Sequence, residues 1–118
     1  MNLQQLLDEL KAEYLAKLPE KVSEIEAALE VQNYGAIEDI FHKLKGSGKT
    51  YGVAELTDLG RVIETVCQRH PEERPWVAAK AGLMIAKIRA AHLEGGTYPL
   101  SEDADFKLIQ NLLARESP

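Results

Sequence analysis

The sequence predicts an all-α protein, an antiparallel up-and-down four-helix bundle with an additional helix at each end. Three observations carry that expectation. Apolar residues recur at i, i+3, i+4 and i+7 along most of the chain, and no segment alternates as a strand would. They are mainly Leu, Ile, Val and Ala, and aromatic residues make up only 6%. The connections between periodic segments are short, so consecutive helices must pack as antiparallel neighbours. The chain has 118 residues, which suits one domain over 1–118 with one modest core, the bundle itself lying at about 19–94.

Residues 2–18 form the first expected helix, with Leu3, Leu6, Leu7, Leu10, Tyr14 and Leu18 on one stripe. Pro19 suits the first turn of a second helix, whose stripe is Val22, Ile25 and Leu29 and which ends near Val31. Asn33 is a candidate N-cap for the third, with Ile37, Ile40, Phe41, Leu44 and Tyr51 facing inward. "YG" at 51–52 marks a turn, and the fourth helix follows with Leu56, Leu59, Ile63, Val66 and Cys67. After the loop "RHPEERP", a fifth runs from about Pro75 to Glu94, with Trp76 packing at its start. "GGTYP" ends it, and Ser101 can cap a sixth helix over about 101–115, with Phe106, Ile109, Leu112 and Leu113 inward. Helices two to five make the bundle.

Composition excludes several classes of function. A formal net charge of −5 gives no general attraction to nucleic acid or to anionic membranes. The opening "MNLQQLLDEL" is interrupted by polar residues and reads as neither signal peptide nor membrane span. With one cysteine, Cys67, no intramolecular disulfide is possible. A cytoplasmic monomer is expected, and the initial Met favours a stand-alone protein over an excised module.

"FHKLKGSGKT", Phe41 to Thr50, concentrates three lysines around a histidine without a carboxylate. Its ending resembles a nucleotide-binding loop, but Lys43 stands where the first Gly of that loop is required, and neither a preceding strand nor a strand-borne acid is available. At about 100° per residue, His42 points away from the apolar face of the third helix. Lys45 and Gly46 lie one turn beyond it, Lys49 two turns beyond, and Glu38 one turn before. Gly46 inside a helix costs about 1 kcal/mol relative to Ala, a cost that fits close approach of a partner to the backbone. An exposed imidazole is a nucleophile near neutral pH, and lysines can offset the charge of a phosphoryl group placed on it. Gly46 and Gly48 together predict a frayed or bent last turn.

"HKLKGSGKTYGVAELTDLGRVIE", His42 to Glu64, resembles the signature of histidine phosphotransfer (HPt) domains. His42, Leu44, Lys45, Gly46, Ser47, Tyr51, Gly52, Leu56, Leu59, Ile63 and Glu64 fall at matching positions, and a weaker likeness extends upstream over most of 10–70. The resemblance implies a helical bundle whose His42 accepts a phosphoryl group from a histidine kinase or a receiver-domain aspartate and passes it to another receiver. It implies no ATP site and no cofactor on this chain, with magnesium supplied by the receiver. Lys45 and Lys43 become the nearby cations, and Gly46 the bare position for the receiver's loops. Ser47 is expected to hydrogen-bond locally on the helix, and Lys49 and Glu38 to border the partner surface. The alternative is a helical interaction module that binds a receiver or another signalling partner without carrying phosphate.

A zinc site from Cys67, His70 and His92 lacks the four ligands and spacings that zinc requires. Cys67 reads as a small core residue, His70 as a helix-end residue that caps carbonyls, and His92 as a partly buried structural histidine.

Overall fold

The computed structural model describes residues 1–115, so the last three residues of the expected domain lie outside the described residues. Among the described residues five α-helices follow in order: α1 (Leu3–Glu30), α2 (Tyr34–Ser47), α3 (Ala54–Arg69), α4 (Arg74–Leu93) and α5 (Ala104–Ala114). Single 3₁₀ turns at Pro71–Glu73 and Leu100–Glu102 precede α4 and α5. Helices α1 to α4 form the bundle, with α2 against α3 and α1 against α4, and α5 packs on α3 and α4. Phe41, Leu59, Ile63, Val66, Ile85 and Ile88 lie at its centre with no solvent exposure.

The expected break at Pro19 is absent, and the two N-terminal helices are one helix of 28 residues. A proline inside a helix removes one N–H and leaves the carbonyl four residues back without its donor. That carbonyl belongs to Leu15, and Arg89 Nε of α4 donates to it at 2.9 Å. Pro19 itself is exposed. The helix opens with a capping box in which Asn2 Oδ1 accepts from Gln5 N (2.8 Å) and Gln5 Oε1 from Asn2 N (3.0 Å).

The stripe of this long helix is divided in two. Leu15, Leu18, Ile25 and Ala28 are buried, whereas Leu3, Leu6, Leu7 and Leu10 are exposed, because the first turns run past the end of the bundle. Tyr14 marks the boundary, stacked on Tyr51 with ring centroids 4.8 Å apart. Tyr51 therefore packs from the α2–α3 turn and not from α2 itself.

Asn33 caps α2 as expected, its side chain accepting from Ala36 N at 3.1 Å. The end of α2 is neither frayed nor bent. Gly48 keeps helical angles, and its N–H donates to Leu44 O at 2.9 Å. Its missing side chain serves packing, since a Cβ there would stand 2.6 Å from Thr57 N and 2.8 Å from Val53 O. Gly52, at φ +82°, then reverses the chain. At α5 the cap is Asp103, which accepts from Phe106 N at 3.0 Å, while Ser101 sits in the preceding 3₁₀ turn. The carboxylate of Asp103 also takes the Tyr98 hydroxyl at 2.5 Å. That second bond fixes the 94–100 connection to α5 and favours Asp103 over Ser101 as the cap.

Candidate functional site

His42 projects from α2 with 62% of its side chain exposed. Its neighbour in α3 is Glu64, whose Oε2 lies 2.7 Å from His42 Nδ1. The other oxygen, Oε1, accepts from Lys45 Nζ at 2.6 Å. One carboxylate thus bridges the imidazole and the ammonium. A carboxylate can only accept, so His42 Nδ1 carries the proton in this contact. In the neutral ring the lone pair is then on Nε2, the nitrogen not engaged by Glu64.

Glu64 itself is only 13% exposed. Burial pushes its carboxyl up, but hydrogen bonds from Lys45 and then His42 outweigh burial and leave it below the usual carboxylate range. It is therefore charged at neutral pH, and it offsets the Lys45 ammonium beside it.

The remaining expected residues divide into two groups. Gly46 is exposed, and a Cβ built on it meets nothing within 4 Å, so the surface one turn beyond His42 is open. Lys49 is exposed too, its backbone N–H held by Thr57 Oγ1 at 2.8 Å. Its stem lines a cleft of about 520 Å³ between Leu7, Leu10 and Tyr51.

Three residues do not join His42. Lys43 is paired with Asp39 at 2.9 Å and lines the α1 side of α2 with Lys17 and Lys21. Hydrogen bonding and charge from Asp39 raise its pKa. Glu38 lies 3.4 Å from Arg74 Nη2 of α4. Ser47 bonds across the bundle, its Oγ 2.8 Å from Tyr14 Oη, and not locally on its own helix. At i+5 from His42 it faces α1, where Tyr14 meets it.

Glu64 was recognisable in the sequence only as a motif position. Its role could have been found by counting. An antiparallel helix pair places residues equidistant from the turn level with one another, and His42 and Glu64 are equidistant from Val53.

The other histidines serve the scaffold. His92 is buried, and its Nε2 lies 2.7 Å from Glu55 Oε2. The same oxygen accepts from Tyr98 N at 2.9 Å. His70 ends α3 with Nδ1 3.5 Å from Glu72. Cys67 is buried, and burial pushes its thiol up to about 11, as befits an inert core residue. Trp76 is half-buried at the start of α4 and donates its indole N–H to Glu73. Among the described residues no group of three or more His, Cys, Asp or Glu could hold a metal ion, and no helix is long and apolar enough to cross a membrane.

The sequence model of the family described as Hpt domain matches residues 9–95. Neither the curated proteins nor the solved structures contain a match.

Proposed function

The chain belongs to the Hpt domain family, and from that premise we propose that it carries a phosphoryl group on His42 Nε2 between a histidine kinase or receiver aspartate and another receiver domain. Members of this family are phosphotransfer modules of two-component signalling, phosphocarriers and not enzymes with a substrate of their own. The observation that supports His42 is its contact with Glu64, which leaves an exposed ring with its lone pair on Nε2.

In the forward step the Nε2 lone pair forms the N–P bond as the bond between phosphorus and the donor aspartyl oxygen breaks. The electron pair leaves on that carboxylate. No proton has to be removed from Nε2, because the tautomer places it on Nδ1. Positive charge grows on the ring as the bond forms, and the Glu64 carboxylate 2.7 Å away stabilises it. The return step to a second aspartate reverses each movement.

Phosphoryl transfer is mainly positioning and charge stabilisation. Lys45, one turn from His42, supplies a cation near the transferred group, and the bare surface at Gly46 admits the receiver's loops. Magnesium belongs in this account to the receiver. The one carboxylate at His42 has both oxygens engaged, by the ring and by Lys45, and so fits poorly as a metal ligand.

The test is incubation with a radiolabelled, phosphorylated receiver. The wild type should acquire acid-labile, base-stable label. His42→Gln should acquire none and keep its helical content, with stability lowered by about 1 kcal/mol or less. Label that survives in His42→Gln, on His70 or His92, would contradict the assignment. Receiver binding with no label on either protein would favour the interaction module.

A further inference from the structure

We infer that Gly60 is a positioning residue for His42: the absence of its side chain sets the α2–α3 separation at which Glu64 can hold the ring. Gly60 is buried in α3 and faces α2. A Cβ there would stand 2.5 Å from Phe41 O, 2.6 Å from Lys45 N and 3.0 Å from Lys45 Cα. All three atoms are backbone, so no side-chain rotation relieves the contact. They also lie on either side of His42 along α2, and one of the two residues is the lysine that shares Glu64. Glu64 is four residues beyond Gly60, one turn further along the same face of α3. A close backbone approach of the two helices therefore lies one turn from the bridge.

The position is otherwise an unfavourable one for glycine, in the middle of a 16-residue helix. It also contrasts with Gly46, where a Cβ meets nothing within 4 Å. One glycine leaves the outer surface open; the other draws the inner surfaces together. To bring a Cβ at Gly60 out to ordinary van der Waals distance, the helices must part locally by about 1 Å. A hydrogen bond of 2.7 Å stretched by that amount is no longer one. Glu64 is 13% exposed and its two oxygens are already committed to His42 and Lys45 of α2.

This inference rests on the reading of His42 as phosphoryl acceptor, so ring state and transfer are measured separately. Nitrogen-15 NMR of the His42 ring reports which nitrogen carries the proton in the neutral form. Single-turnover transfer from a phosphorylated receiver reports the rate at saturating receiver. Two folded variants are compared with the wild type: Gly60→Ala, which widens the gap, and Glu64→Asp, which shortens the reach from the other side and leaves the backbone contact alone.

The wild type should hold the proton on Nδ1. Both variants should move toward the Nε2–H form favoured by a solvated histidine, and transfer should slow by up to about 100-fold. A folded Gly60→Ala protein that retains the Nδ1–H signature overturns the inference. If Gly60→Ala fails to fold, Glu64→Asp decides: loss of the signature supports the inference, and its retention overturns it, since the bridge then tolerates the displacement. A wild type that takes no phosphoryl group defeats the proposed function instead, and the ring signature still decides the role of Gly60.

Discussion

A carboxylate with two donors at 2.6 and 2.7 Å is a residue whose charge matters, and Glu64 is in that position. Its folded-state pKa lies below the ordinary 4.5. A depressed carboxylate contributes stability that is fully present above its unfolded value and is lost as pH falls through the folded one. Glu64→Gln should therefore cost about 1 kcal/mol at pH 7, at the low end for a charged hydrogen bond because Lys45 is partly exposed. The gap from wild type should close in the window below about pH 4.5, where the wild-type carboxylate takes up its own proton. Urea unfolding of both proteins from pH 7 to pH 3 reads this directly, and a gap undiminished at pH 3 would contradict it. At this scale the sequence brings His42, Lys45 and Gly46 together, because they neighbour one another within a single helix. It was misleading about Glu38, which shares that helix but is held by Arg74. It left Glu64 without a role, because its partnership crosses from α3 to α2.

Within α2 access and stability act in opposite directions at Gly46. Glycine weakens a helix interior by about 1 kcal/mol relative to Ala. Gly46→Gln should thus fold at least as well as the wild type, since a side chain there meets nothing. It should nevertheless lose most transfer, because the glutamine would fill the surface one turn from His42. Thermal melts and single-turnover transfer check the two halves, and transfer at the wild-type rate would remove the access argument. Helix α1 illustrates what periodicity cannot reveal. Its proline sits where a new helix could begin, and only the arrival of Arg89 at Leu15 O explains why the chain continues. The Leu3–Leu10 stripe has helical spacing and is helical, yet these leucines are exposed, since periodicity marks a face and not what covers it. Ser101 and Asp103 are both reasonable caps by type. The choice between them was made by Tyr98, through a contact that spacing does not encode.

The molecule as a whole is acidic, with a formal net charge of −5, and it presents its lysines locally. Lys45 is offset by Glu64 and Lys43 by Asp39, whereas Lys49 has no ion pair among the described residues. Steering of an acidic receiver pocket should therefore depend on Lys49 more than on Lys45. Screening shortens the reach of such charges from about 10 Å at 0.1 M salt to about 3 Å at 1 M. Lys49→Ala should slow association at low salt and matter little at high salt. Lys45→Ala should lower the transfer rate within the docked complex at both. Transfer rate against receiver concentration at two ionic strengths separates these effects, and identical behaviour of the two variants would replace the division with one diffuse field. The four-helix architecture was legible because its core residues obey one period from Leu15 to Ile88. The division of labour between its faces was not, because it depends on which helices meet. The proposed chemistry converges on one atom of one ring. The most direct measurement is phosphorus–nitrogen NMR of the phosphorylated protein with nitrogen-15 histidine, which identifies the nitrogen bonded to phosphorus. A single phosphoryl group is expected on His42 Nε2, with Nδ1 still protonated toward Glu64. A phosphoryl group on Nδ1, or on any other residue, would contradict it.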